Sequence, residues 1–287
     1  MGIGATPRMR RRHHNNAPPP HPDAAGAIGD NRGMSNPAPA TAPLPISGVV
    51  IAKNEGDRIG RCLDSMRGLC AELIVVDSDS TDDTVAVATA RGARVVQQEW
   101  LGYAAQKTFA NTLAVHDWLL LLDADEWLSP GTDATIRALF ADGRVETADA
   151  WLLTRRNWFL GHRLRGGEPM ERLVRAGWRY LPSQVHERPD LEGKTVAKLD
   201  ADFEHDTSRS HAEHVAKLSK YAALWAQQRR DAGKRAHALD GPLHAAAYLL
   251  KQYLLRGAFL DGAPGWRFHK AQADYVLEKY RRLRDLS

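Results

Sequence analysis

Three carboxylates directly follow a run of leucines in the stretch LLLLDADEW, which spans residues 119–127. An apolar run of this kind is buried in a folded protein, whereas carboxylates are almost never buried unless they are paired. The Asp-x-Asp spacing of Asp123 and Asp125 at the end of a strand suits a hard divalent cation, because Mg²⁺ and Mn²⁺ prefer oxygen ligands. One acid would hold the metal and the other would contact sugar hydroxyl groups, while Glu126 is interpreted as a structural charge.

Polar residues also follow two other expected strands, in AKNE (residues 52–55) and VDSDSTDD (residues 76–83). Ligands of open parallel α/β sheets bind beyond the carboxyl ends of the strands. If the three strands are neighbours, Asp77 therefore lies in the same cleft as Asp123 and Asp125. Such a group of carboxylates repels itself unless a cation or a donor-rich ligand lies among them. The alternative role for Asp77 is to cap the helix that follows it.

The elements that must position these acids alternate between short apolar runs and amphipathic segments. The expected strands cover residues 46–52, 72–78, 93–98, 117–124 and 149–155. The expected helices between them cover residues 57–69, 80–92, 104–116 and 130–142. Ser80 is predicted to cap the second of these helices and Gly92 to end it. Strands that alternate with helices predict an α/β fold in which helices cover both faces of a mostly parallel sheet.

The two ends of the chain differ from this pattern. Residues 1–44 are rich in Pro, Ala, Gly and Asn and show no hydrophobic period. They are expected to form a disordered tail, because they cannot repay their ordering entropy by burying apolar surface. Residues 45–208 form the predicted α/β domain. Residues 209–287 form a predicted helical region, with amphipathic helices at 210–231, 241–256 and 266–284.

Composition sets only broad limits on function. The chain of 287 residues has a net charge of +4 and a pI near 9.1, which fits an anionic substrate, a membrane surface or nucleic acid. No motif that reads nucleic acid accompanies this charge, and two cysteines are too few for a disulfide framework. The sequence shows neither a membrane-spanning run nor a secretory signal, so a cytoplasmic protein is expected. The last helices either pack against the domain or lie on a membrane surface.

Four consecutive segments match the signature blocks of a known enzyme family and together span residues 46–126. They are ISGVVIAKNEGDRIGRCLDSM, ELIVVDSDSTDDTVAVA, GYAAQKTFA and DWLLLLDADE. In this order they resemble family 2 glycosyltransferases, which have the GT-A nucleotide-diphospho-sugar transferase fold. Further along the chain, RRNWFLG, VHERP and RGAFLDGAPGW resemble the lipopolysaccharide core-biosynthesis branch of that family, which includes heptose β-1,4-glucosyltransferases.

The resemblance implies a binding site for the nucleotide part of a sugar nucleotide, with a UDP-sugar as the expected donor. Asn54 and Glu55 lie where the family contacts the nucleotide. Asp77 matches the acid that contacts uridine, and Lys107 lies in a block near the nucleotide. These four residues are therefore predicted to bind substrate, with a solvated surface position as the alternative for Lys107.

The resemblance also implies roles for the residues nearer the reacting sugar. Asp123 matches the acid that contacts ribose, and Asp125 matches the acid that binds Mg²⁺ or Mn²⁺. Glu187 is the expected catalytic base and His186 the alternative. His205 follows a predicted strand and would reach the diphosphate or the metal.

The chemistry of sugar transfer is consistent with these roles. A bound metal stabilises the negative charge that develops on a departing diphosphate. A base on the opposite side of the sugar accepts the proton of the attacking hydroxyl group. A single displacement of this kind inverts the anomeric centre.

The sequence therefore predicts an inverting, metal-dependent enzyme that transfers a hexose, with glucose from UDP-glucose as the expected donor sugar. The expected acceptor is a lipopolysaccharide core or another lipid-linked cell-envelope glycan. The enzyme would act in the cytoplasm or peripherally on the inner face of the cytoplasmic membrane. Two alternatives stay open: transfer to polyprenyl phosphate or another glycan acceptor, and a non-catalytic module that binds sugar nucleotides.

Overall fold

The computed structural model describes residues 42–181 and 188–286. The predicted base region, His186 and Glu187, lies outside these residues, as does the predicted tail up to residue 41. The strands are β1 (Leu44–Ala52), β2 (Cys70–Asp77), β3 (Arg94–Gln97), β4 (Trp118–Leu121), β5 (Glu126–Leu128), β6 (Ala150–Phe159), β7 (His162–Arg163), β8 (Glu168–Arg175), β9 (Tyr180–Leu181), β10 (Arg188–Pro189) and β11 (Val196–Asp206). The helices are α1 (Ile59–Met66), α2 (Thr84–Ala90), α3 (Tyr103–Thr112), α4 (Thr132–Ala141), α5 (His211–Asp231), α6 (Asp240–Leu249) and α7 (Gly262–Asp285).

The main sheet has the strand order β3-β2-β1-β4-β8-β6-β11-β5, and β7 pairs with β6. From β3 to β4 all neighbours are parallel, as the alternation of strands and helices predicts. Strand β8 runs antiparallel to both β4 and β6, and β11 is parallel to β6 but antiparallel to β5. The predicted α/β fold is confirmed, and the sheet is mixed, because its second half contains antiparallel neighbours as well as the parallel pair of β6 and β11.

Two apolar clusters cover the two faces of the sheet. Alternate residues of β1 belong to different clusters, because side chains point to opposite faces along a strand: Val50 lies in one and Val49 in the other. Gly48 permits close packing between β1 and β2, since a Cβ atom there would lie 2.8 Å from Leu73 Cδ2. The central strands are therefore fixed by burial on both sides.

Several predicted boundaries change in the structure. The prediction that Ser80 caps the second helix is wrong, because α2 begins at Thr84 and the Ser80 hydroxyl donates to Asp77 instead. Gly92 follows the end of α2 with a φ of 81°, as expected for a glycine after a helix. The strand predicted at 117–124 ends at Leu121, and the chain then turns into the unpredicted strand β5.

The C-terminal helices pack against one another and against the end of β6. Helix α5 is capped by Ser210, whose hydroxyl accepts a hydrogen bond from the Glu213 backbone amide at 3.1 Å. Phe268 of α7 lies 5.4 Å from Phe159 of β6, measured between ring centroids. After α6, the segment Leu250–Leu255 is π-helical. Within the described residues, no helix is both long and apolar enough to cross a bilayer.

His214 of α5 joins this packing as a buried imidazole, with its ring centroid 5.1 Å from that of Phe159. Its side-chain Nδ1 lies 3.2 Å from the Ser208 hydroxyl. Burial lowers the pKa of His214 to about 4, with smaller contributions from nearby Lys217 and His211. The folded chain therefore favours the neutral imidazole at a pH where the unfolded chain binds a proton.

We expect His214 to make folding stability pH-dependent. Its contribution is fully present above the unfolded pKa of 6.5 and is lost as the pH falls towards about 4. The difference in unfolding free energy between pH 7 and pH 5 should shrink by about 1–2 kcal/mol in His214→Phe, measured by urea unfolding. His162→Phe, at an exposed position, is the matched control. An unchanged difference in His214→Phe would contradict this role.

Candidate functional site

The carboxyl ends of β2, β1 and β4 meet at one edge of the sheet. Ala52 pairs with Asp77 and Val49 pairs with Leu121, so the three strands are neighbours, as expected from the sequence. The amide of Leu122 still donates to the Val49 carbonyl at 3.2 Å. The acids that follow therefore begin where β4 leaves the sheet.

The chain turns sharply between Asp123 and Glu126. The Glu126 amide donates to the Asp123 carbonyl at 2.9 Å, and the Asp123 amide donates to Glu126 Oε2 at 3.0 Å. Beyond the turn, Glu126 pairs with His205 of β11 in an antiparallel bridge. In a continuous strand Asp123 and Asp125 would lie on the same face, because they are two residues apart. The turn instead directs their side chains to different partners.

Asp125 lies beside His205. The Nε2 atom of His205 is 3.6 Å from Asp125 Oδ2, and its Nδ1 atom is 2.8 Å from Asn157 Oδ1. If Nδ1 donates to the Asn157 oxygen, the lone pair of Nε2 faces Asp125. The Asp206 amide also donates to the Asp125 carbonyl at 2.9 Å. A carboxylate and an imidazole are thus placed side by side at the edge of the sheet.

Positive groups surround Asp125. Burial by itself would raise the pKa of Asp125, whose side chain is 15% exposed. A protonated His205, together with Arg58 and Lys217, outweighs burial and holds that pKa well below its usual range. Arg58 Nη1 lies 3.7 Å from Asp125 Oδ2. Asp125 is therefore a carboxylate at neutral pH.

Asp123 has a different set of cations. Lys107 Nζ of α3 lies 2.8 Å from Asp123 Oδ1, and Arg172 Nη2 of β8 lies 3.8 Å from Asp123 Oδ2. Burial would raise the pKa of Asp123, but Lys107 and Arg172 lower it below the ordinary value. The Asp123 side chain remains 35% exposed, so it is accessible from the cleft. A small cavity beside it is lined partly by Lys107, Arg172 and Tyr180.

Asn54 and Asp77 brace the loops that follow β1 and β2. Asp77 is fully buried and accepts hydrogen bonds from both the amide and the hydroxyl of Ser80. Asn54 adopts a left-handed conformation with a φ of 56°, which asparagine tolerates better than most residues. Its side-chain oxygen accepts from the Thr81 amide at 2.8 Å. The structure thus gives both residues a role in loop shape, and Asp77 does not cap α2.

Glu55 is held by two arginines rather than presented openly to the cleft. Arg58 makes a bidentate pair with it, through Nε and Nη2 at 2.7 Å each, and Arg209 Nη2 lies 3.0 Å from its Oε2. Burial raises the pKa of Glu55, and Arg58 partly offsets this effect. Arg209 also pairs with Asp57, so the chain before α5 is clamped to the loop after β1.

Sequence reasoning missed the arginines. Arg58, Arg172 and Arg209 come from distant parts of the chain and contact the predicted acids or their neighbours. Arg172 alone left a weak signal, because a cation directly before the Leu-Val pair of the strand MERLVR points to a buried acid as its partner. Burial would lower the pKa of Arg172, but Glu126 and Asp123 outweigh it and raise the pKa.

Asp125 and His205 are the residues of this edge best suited to a metal. Among residues 42–181 and 188–286, no group of three or more His, Cys, Asp or Glu side chains is arranged to hold an ion. The Asp125 carboxylate nevertheless fits Mg²⁺ or Mn²⁺ chemistry, because such ions are often bound by one or two carboxylates and by substrate phosphates, and a neutral His205 beside it can add a nitrogen ligand to Mn²⁺. His186 and Glu187 lie outside the described residues.

Comparison with known proteins gives several sequence relatives. The model of the family described as Glycosyl transferase family 2 matches residues 47–178. An uncharacterized glycosyltransferase of Rickettsia felis is 51% identical over 96 residues, which cover 33% of this chain and only 34% of the relative. The lipopolysaccharide core biosynthesis glycosyltransferase LpsC of Rhizobium meliloti is 30% identical over 236 residues, which cover 78% of this chain and 86% of LpsC.

A solved structure shares the fold. The mannosyltransferase PcManGT of Pyrobaculum calidifontis, in complex with GDP-Man and Mn²⁺, has a TM-score of 0.51 at 18% sequence identity. The similarity covers 85% of this chain and 88% of that one. Because the likeness to LpsC extends over most of both chains and the family model spans β1 to β8, the chain belongs to glycosyl transferase family 2 and has the GT-A fold.

Proposed function

We propose that the protein is an inverting, metal-dependent glycosyltransferase that moves a hexose, with glucose from UDP-glucose as its donor, onto a lipopolysaccharide core or related cell-envelope glycan. The observation that carries this proposal is the pairing of Asp125 with His205 at the carboxyl edge of the sheet, 3.6 Å apart. LpsC, a relative over most of the chain, is named for lipopolysaccharide core biosynthesis.

Asp125 and His205 would hold Mg²⁺ or Mn²⁺ against the diphosphate of the donor. The metal would supply positive charge where the leaving diphosphate becomes more negative. Asn157 keeps the His205 ring in place through Nδ1, and Asp125 stays ionised because of the surrounding cations. PcManGT, which shares the fold, was solved with GDP-Man and Mn²⁺, and this supports a nucleotide sugar and a divalent cation as ligands.

Asn54, Glu55, Asp77, Lys107 and Asp123 are proposed to form the nucleotide side of the site. Asp123 is the best placed of them for direct contact, because its carboxylate remains partly exposed beside Lys107. Asn54, Glu55 and Asp77 would act mainly by shaping the loops, since their side chains bind Thr81, Arg58 and Ser80, respectively. Glu187, with His186 as the alternative, would accept the proton of the acceptor hydroxyl group.

The metal assignment predicts the effect of Asp125→Asn. We expect UDP binding measured by calorimetry in Mn²⁺ to weaken by at least about ten-fold, because a neutral amide is a poor ligand for a hard cation. Binding measured without a divalent cation should change little. Asp133→Asn, on the first turn of α4, is the matched control. If Asp125→Asn binds UDP with Mn²⁺ as tightly as wild type, the metal assignment is wrong.

The proposed role of Glu187 as the catalytic base predicts a different result for Glu187→Gln. Transfer from UDP-glucose should fall by about 10²–10⁴-fold, because a general base contributes that much to the rate. UDP binding should survive, since a general base acts on the acceptor hydroxyl group and not on the nucleotide. Glu192→Gln, an exposed change nearby, should leave transfer intact. A non-catalytic sugar-nucleotide module predicts instead that Glu187→Gln changes no measurable property.

We also propose that the enzyme works at the inner face of the cytoplasmic membrane, where a lipid-linked acceptor is found. Large apolar side chains are exposed along one segment of the helical region: Leu250, Leu254, Leu255, Phe259, Leu260 and Trp266. We call this segment the apolar surface of residues 250–266. Exposed cations accompany it at Lys251, Arg256, Arg267 and Lys270. Such a combination favours anionic headgroups and the outer acyl region of a bilayer.

Leu255→Glu tests this membrane contact, because Leu255 is 76% exposed. Cosedimentation with phosphatidylglycerol vesicles should drop several-fold, while binding to phosphatidylcholine vesicles should be weak in both proteins. Val115→Glu is the matched control, since Val115 is 72% exposed and lies between α3 and β4, outside the apolar surface of residues 250–266. Equal sedimentation of wild type and Leu255→Glu would refute the contact.

A further inference from the structure

One buried ion pair beside the site has no part in the proposed function. Glu126 is 1% exposed and Arg172 is 4% exposed, and Arg172 Nη2 lies 2.6 Å from Glu126 Oε1. Removing two charges from water is costly, and a well-packed apolar pair is often as stable or more stable. Arg172 Nε is also buried without a hydrogen-bond partner among the described residues. Stability alone therefore does not account for the pair.

Glu126 closes the turn that carries Asp123 and Asp125. Its Oε1 accepts a hydrogen bond from Arg172 Nη2, and its Oε2 accepts one from the backbone amide of Asp123 at 3.0 Å. The Glu126 amide returns a hydrogen bond to the Asp123 carbonyl at 2.9 Å. Hydrogen bonds to Glu126 thus hold both the amide and the carbonyl of Asp123, and Asp125 lies between these two residues in the turn.

Arg172 links this turn to two other strands of the sheet, β8 and β11. It belongs to β8, contacts Glu126 in β5 and approaches Asp123 Oδ2 at 3.8 Å. Its guanidinium also lies 4.8 Å from the ring centroid of Phe203. Phe203 precedes His205 on β11 by two residues, so Arg172 packs against the strand that carries the partner of Asp125.

We propose that Glu126 and Arg172 are positioning residues, which hold the turn after β4 so that Asp123 faces Lys107 while Asp125 faces His205. This inference rests on the proposed function, because it gives the pair a role in binding the sugar nucleotide and its cation. A small displacement of positioned groups is enough to lower turnover by about 10²-fold. The pair would act on donor binding and leave acceptor binding unchanged.

The test replaces both charges together by apolar side chains in Glu126→Leu/Arg172→Met. The double variant should melt within a few degrees of the wild-type temperature, because no unpaired charge stays buried and only the Asp123 amide loses its acceptor. UDP binding in Mn²⁺ should nevertheless weaken by about ten-fold or more, and kcat should fall by about 10²-fold with a raised KM for the donor only. Glu126→Gln/Arg172→Met should recover part of this loss, because the oxygen of the glutamine side chain still accepts from the Asp123 amide.

The matched control is the bidentate pair of Arg156 and Asp202, whose Nε–Oδ2 distance is 2.8 Å. The same exchange there, Arg156→Met/Asp202→Leu, should leave UDP binding and the donor KM unchanged. Wild-type binding and turnover in Glu126→Leu/Arg172→Met would overturn the inference while leaving the proposed function intact. A large loss of melting temperature would also overturn it, because stability would then explain the pair. Failure of the wild-type chain to bind UDP with Mn²⁺ would overturn both.

Discussion

Charge compensation at the turn after β4 is the constraint on which the rest of the site depends. Asp123, Asp125 and Glu126 follow four buried leucines, so they cannot all be surrounded by water. A cation lies beside each acid: Lys107 beside Asp123, Arg58 beside Asp125, and Arg172 beside both Glu126 and Asp123. These cations offset the mutual repulsion that three neighbouring carboxylates would otherwise suffer.

The sheet order supplies these partners from distant parts of the chain. Strand β8 lies between β4 and β6 and brings Arg172 to the turn, while β11 places His205 opposite Glu126. Asn157 of β6 then fixes the His205 ring. The mixed half of the sheet is therefore the part that completes the site, and the parallel half supplies the edge from which the acids emerge.

The loops after β1 and β2 are held in shape by the side chains of the motif residues themselves. Glu55 holds Arg58 and Arg209, so it connects the loop after β1 to the chain before α5. Asp77 is fully buried against Ser80, and Asn54 joins the two loops through Thr81. The side chains of Asn54, Glu55 and Asp77 thus fix the backbone of these loops, whereas the carboxylate of Asp123 is partly exposed.

The sequence by itself determined the alternation of strands and helices, the parallel half of the sheet and the position of the acids at its edge. These features follow from the spacing of apolar residues, because a strand or helix that buries one face repeats apolar residues at its own period. It did not determine β5, the role of Ser80 or the partners of the acids. Arg58 and Arg209 look like ordinary surface cations in the sequence, and Arg172 indicates only that some buried acid must lie beside it. The carboxylate that each arginine contacts depends on strand order and direction, and these are decided by the tertiary structure as a whole.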